Sequence, residues 1–171
     1  GRNERALKAW KEEIIALKEK LEDFYGIEIT EEDIGQAIRI KNRERRSMLR
    51  FMELGKLNPA PISGYEIGTR ADSLAFNFDM EERIRLVDER TEEVLRDWEE
   101  NYKGKPSDRP RILVTGCPNA GVRDKIIKTV EEMGADVVAF DSCSGTREKV
   151  ELVDENLPVF DALAKKYLNI N

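Results

Sequence analysis

Two cysteines carry most of the chemistry this sequence could support. Cys117 lies in Thr115-Gly116-Cys117-Pro118-Asn119-Ala120-Gly121 and Cys143 in Asp141-Ser142-Cys143-Ser144-Gly145. A thiol near a helix N-terminus has its thiolate favoured by the helix dipole and by backbone N–H groups, which suits a nucleophile or an iron ligand. The two are 26 residues apart, which is no metal motif, and an iron–sulfur cluster takes three or four thiolates. By spacing alone, each cysteine reads either as a packed small hydrophobe, Cys117 the more so, or as a ligand. Two cysteines make no disulfide framework, and a cytosolic chain keeps them reduced. Histidine is absent altogether, which removes the usual zinc sites, the Ser-His-Asp arrangement and the commonest general base at neutral pH.

Other candidates are weaker. Gly116 and Gly121 bracket a loop before a helix, but no Gly-Lys-Ser/Thr ending and no Gly-x-Gly-x-x-Gly pattern supports nucleotide binding. Ser142 and Ser144 lack a histidine partner and suit loop hydrogen bonds. Arg123, Lys125 and Arg147 are cations that could meet the phosphates of a coenzyme A.

The elements that would position the cysteines can be read from periodicity. Arg111-Ile112-Leu113-Val114-Thr115-Gly116 is a continuous aliphatic run, fitting a strand buried on both faces of a parallel sheet. Val122, Ile126, Ile127, Val130 and Met133 follow at helical spacing, Gly134 ends that helix, and Asp136 to Phe140 gives a second buried strand. Ile112–Thr115 and Asp136–Phe140 are thus expected as adjacent parallel strands of a βαβ unit. Ligands of such sheets bind beyond the carboxyl ends of the strands, where both cysteines fall. A further helix is expected from Pro158 to Leu168, with Phe160, Leu163, Ala164 and Tyr167 inward.

Upstream, Leu7, Trp10, Ile14, Leu17, Leu21 and Phe24 alternate spacings of three and four, the mark of a helix with a narrow apolar seam, stopped by Gly26. Thr30 is a good N-cap for a helix from about Glu31 to Leu54. Asn58-Pro59-Ala60-Pro61-Ile62-Ser63-Gly64 breaks helix, with Ser63 as cap of a short turn. A third long helix is expected over Asp79–Tyr102, with Trp98 and Tyr102, like Trp10, in the core. The fold class is α/β: long helices plus a partial Rossmann-like parallel sheet. Residues 1–105 are expected to form a helical region, which the resemblance given below would place between lobes, and residues 106–171 a partial α/β domain.

The chain has 171 residues, of which 40% are apolar and 37% charged, enough for a real core under heavily charged helix faces. A net charge of −6 argues against a nucleic-acid platform despite the basic run Arg39, Lys41, Arg43, Arg45, Arg46 and Arg50. No window reads as a membrane span or a signal peptide, so a cytoplasmic location is expected.

The segment RILVTGCPNAGVRDKIIKTVEEMGADVVAFDSCSGTREKVELVDEN, continuing through PVFDALAKKYLNI, resembles the activator-dependent 2-hydroxyacyl-CoA dehydratase and benzoyl-CoA reductase subunits. TEEDIGQAIRIKNRERRSMLRFMEL and the PAPISGYE turn are similar to the helical region between the lobes of those subunits. The resemblance covers nearly the whole chain, and its most specific pieces are the TGCP, DSCSG and VDEN stretches. It implies an internal piece of a multi-lobed iron–sulfur subunit that is inactive alone. Cys143, Cys117, Ser144 and Gly145 would contribute to a 4Fe-4S site. Cys143 would be the iron ligand in the longer parent only, with no cluster in this piece by itself. The DSCSG loop looks closer to the sister branch that carries a double-cubane cluster. The implied partners are the remaining lobes of the subunit, a homologous partner subunit, an ATP-dependent activator and an acyl-CoA substrate. The alternative is a non-catalytic helical and α/β interaction module with structural cysteines.

Overall fold

The computed structural model describes residues 3–74, 76–116, 120–142 and 145–169 of the chain. Its helices begin and end where side chains satisfy the backbone. Helix α1 (Glu4–Tyr25) is opened by Asn3, whose Oδ1 accepts from the N–H of Ala6 at 2.9 Å, and closed by Gly26 at φ 64°. Helix α2 (Glu31–Met52) starts from a reciprocal pair. The Asp33 N–H donates to Thr30 Oγ1 at 3.1 Å, and the Thr30 N–H donates to Asp33 Oδ2 at 2.9 Å. It ends two residues before Leu54, because Glu53–Lys56 tighten into a 3-10 turn that brings Gly55 onto β2. A Cβ on Gly55 would sit 2.1 Å from the carbonyl oxygen of Val138.

The expected short turn after Ser63 is an eleven-residue helix, α3 (Gly64–Leu74). Its three first N–H groups are all met. Ser63 Oγ accepts from Glu66 at 3.0 Å, while the Glu131 carboxylate accepts from Gly64 at 2.6 Å and from Tyr65 at 3.3 Å. Helix α4 (Met80–Asn101) is capped by Asp79.

Strands β1 (Arg111–Gly116) and β2 (Asp136–Ser142) pair in parallel, from Arg111 opposite Asp136 to Gly116 opposite Ser142, with an irregularity between Ile112 and Leu113. The chain is therefore α/β, with the expected strand pair. The connection is not the regular helix its spacing predicts. It runs through a 3-10 turn (Ala120–Val122), a π-helical stretch (Asp124–Lys128) and a short α5 (Thr129–Glu132). A one-turn α6 (Arg147–Val150) and α7 (Val159–Asn169) complete the described elements.

By packing, the chain divides into residues 44–150 and a second unit of residues 1–43 with 151–171, so α2 contributes residues to both. In the 44–150 unit, Phe51, Ile67, Val87, Val94, Ile127, Val137 and Phe140 form the core. β1 departs from expectation: Ile112 and Val114 reach that core, but Leu113 between them is 57% exposed. Among the described residues β1 is thus covered on one face only. In the other unit α1 packs on α7, with Trp10 stacked on Tyr167 at 6.1 Å, and Ile38, Val153 and Ala162 cluster. On α7, Leu163 packs against that cluster and Ala164 is buried as expected, Ala162 and Lys166 are buried as well, and Tyr167 is exposed. Trp10 and Tyr102 are likewise more than 40% exposed rather than core. Trp98 is half-buried and donates to the carbonyl of Pro59 at 2.9 Å.

Candidate functional site

β1 and β2 end in register, Thr115 opposite Asp141 and Gly116 opposite Ser142, so the chain leaves both strands from one carboxyl edge. Cys117, Cys143 and Ser144 lie outside the described residues. Of the four candidates named from sequence, Gly145 is described, and it is buried. Its N–H donates to the carbonyl of Ser142 at 3.0 Å, and the next N–H, of Thr146, donates to the carbonyl of Phe140 at 3.0 Å. A Cβ on Gly145 would lie 2.3 Å from that Phe140 oxygen, so the turn closes this tightly only with glycine there.

On the edge itself, Asp141 accepts from Arg147 at 3.1 Å and from the Thr115 hydroxyl at 3.2 Å. The Arg147 guanidinium first, and then the Thr115 hydroxyl, hold the Asp141 carboxyl below the usual carboxylate range. The edge therefore carries a fixed negative group beside a paired cation.

Arg123 departs from its expected exposure. It is 9% exposed and its guanidinium pairs with Asp72 of α3, so it is not a free surface cation awaiting a phosphate. Arg147 is likewise engaged with Asp141, while Lys125 is exposed. The basic run on α2 is also engaged: Arg39 pairs with Glu32, Arg45 with Glu148 and Arg50 with Glu92, and Lys41, Arg43 and Arg46 have interactions of their own.

Sequence reasoning missed Asp72 and Gly68, both of α3. Asp72 is 51 positions from Arg123, so no local signal joins them. Gly64 and Gly68, four apart on one helix face, do signal a close approach, and both are buried. A Cβ on Gly64 would meet the Val137 oxygen at 2.3 Å, and one on Gly68 would meet Arg123 Nε at 2.7 Å.

Among the described residues no group of three or more His, Cys, Asp or Glu side chains could hold a metal. The two thiols of the chain fall short of a cluster's ligand set, so this chain could supply only a share of one. No described helix is long and apolar enough to cross a membrane.

A family model described as 2-hydroxyglutaryl-CoA dehydratase, D-component, matches residues 2–171. The chain is also 42% identical over 161 residues to "Putative dehydratase subunit YjiM" of Escherichia coli (strain K12). That match covers 94% of this chain and 42% of the relative, so the chain spans less than half the length of the curated protein it matches.

Proposed function

This chain belongs to the 2-hydroxyglutaryl-CoA dehydratase D-component family, and from that membership we propose that it is part of an iron–sulfur subunit whose full-length form eliminates water from a 2-hydroxyacyl-CoA. The piece is inactive alone. In the full-length protein it works with the remaining lobes, a homologous partner subunit and an ATP-driven activator.

The observation that supports this most is the shared edge: β1 and β2 end in register, so the segments bearing Cys117 and Cys143 start from paired residues. Cys143 would ligate iron, with further thiolates coming from outside this chain, and Cys117, Ser144 and Gly145 would line the same site. A bound 4Fe-4S cluster supplies one-electron transfer at low potential. The chain's own residues give that site its shape. Gly145 keeps the turn tight, and the Asp141–Arg147 pair keeps a carboxylate ionised at its margin. The form of the DSCSG segment further suggests the double-cubane branch.

The test is reconstitution of the full-length protein and of Cys143→Ala and Cys117→Ala variants with iron and sulfide, followed by iron counting and electron paramagnetic resonance of the reduced forms. The expected result is lost or altered cluster signal in Cys143→Ala. Unchanged iron and spectra in both variants would return the cysteines to packed thiols. A second reading, a non-catalytic interaction module, is favoured by the exposure of Leu17, Leu21 and Phe24 on α1. That outcome would support it.

A further inference from the structure

Arg123 begins the π-wound crossover and turns inward, nine-tenths buried, to reach Asp72 on α3. Its Nε is buried and has no hydrogen-bond partner. The side chain lies so close over Gly68 that even a methyl group there would sit 2.7 Å from Nε. Arg123, Asp72 and Gly68 wall a void with Phe140, Ser142 and Gly145. At about 10 Å³, the void has room for about one water molecule and for no substrate.

A buried cation with an unmet donor is a poor way to gain stability, since an apolar side chain of similar volume would avoid the desolvation cost. What a guanidinium offers is direction, because its planar fork fixes the groups around it. The residues around the void come from the start of the crossover, from α3, and from the end of β2 with the turn that follows it. Ser142 and Gly145 flank Cys143 and Ser144, and Arg123 follows Cys117 by six positions.

We propose that Arg123, seated on Gly68 and held by Asp72, is a positioning residue that fixes the crossover's first turn against the carboxyl end of β2, and so sets the roots of the two cysteine-bearing segments relative to each other. Its significance rests on the reading that those segments act together, but the contact itself can be tested without a cluster. The π-helical stretch from Asp124 fits this role, since such widened turns recur where a helix must accommodate a functional constraint.

The test is site-resolved hydrogen exchange on the full-length protein carrying Arg123→Met, Arg123→Lys or Gly68→Ala. In Arg123→Met, amides at Gly121–Val122 and Gly145–Thr146 should exchange about tenfold faster, while those of Val137–Ala139 and Val87–Val94 keep their rates. Arg123→Lys, which retains the charge for Asp72, should recover part of the protection. Gly68→Ala, which displaces the guanidinium without altering charge, should reproduce the loss and decides the question if Arg123→Met does not fold. Unchanged rates at both strand-end segments would overturn the proposal. So would a uniform rise that includes β2 and α4, the mark of a residue that merely stabilises. Iron uptake and paramagnetic resonance of the same proteins form a separate arm. A wild-type protein that takes up no cluster would sink the proposed function, while the exchange rates alone decide on Arg123.

Discussion

Asn42 and Val153 are joined in both directions: the Val153 N–H donates to Asn42 Oδ1 at 3.1 Å, and Asn42 Nδ2 donates to the Val153 carbonyl at 2.8 Å. Asn42 is fully buried and also donates to Glu155 at 2.8 Å, so one amide pins the VDEN stretch to α2. Removing it leaves a buried backbone N–H and carbonyl unmet. Asn42→Ala should therefore cost roughly 2–4 kcal/mol in urea denaturation, more than a surface substitution. A loss below about 0.5 kcal/mol would mean that water replaces the amide.

Among the described glycines, Gly55 leaves the least room, with an added Cβ 2.1 Å from the Val138 oxygen of β2. Because the obstacle is backbone, no rotamer change relieves it. Gly55→Ala should destabilise by about 3 kcal/mol or more, or prevent folding, as measured by thermal and urea unfolding.

Gly26 presents the opposite case, with a left-handed φ of 64° and nothing within 4 Å of an added Cβ. Only backbone strain should register. Gly26→Ala is expected to cost about 1 kcal/mol and Gly26→Asn less, since asparagine tolerates that conformation. Equal melting temperatures for the three proteins would contradict this.

Glu22 bonds to Lys18 Nζ at 2.7 Å and accepts from the N–H of Ile29 at 2.7 Å. Lys18 first, then the Ile29 N–H, hold its carboxyl below the ordinary glutamate range. Its folded pKa is thus below its unfolded one, so its contribution to stability is complete above the ordinary glutamate value and is lost as pH falls through the lowered one. Carboxyl titration by NMR should give a midpoint below that of free glutamate, and Lys18→Met should raise it. An unmoved midpoint in the variant would remove Lys18 as the main cause.

Much of the scaffold was legible because its signals are local. Gly26 and Thr30 mark helix ends by cap chemistry, and the two aliphatic runs mark β1 and β2. What local signals do not carry is partnership at a distance. Arg123 reads as a surface cation until Asp72 is beside it, and α3 looks short because its two glycines lower helix propensity while serving close packing. The exposure of Leu113 has a similar origin, since an aliphatic run states what a strand could bury but not what is present to cover it. The candidate site was legible only as a sheet edge: register places Gly116 beside Ser142, whereas any ligand supplied by another segment would leave no trace in this sequence.

The Glu131 carboxylate that satisfies the first two N–H groups of α3 comes from 67 positions downstream of Gly64. Ser63 can cap Glu66 as soon as the turn forms, but the remaining donors wait for the crossover to dock. Closing a loop of that length is entropically costly and delays whatever depends on it. Helix α3 is therefore set to consolidate late in folding, after α4 and together with the crossover, and substitutions at Glu131 should chiefly speed unfolding rather than slow folding.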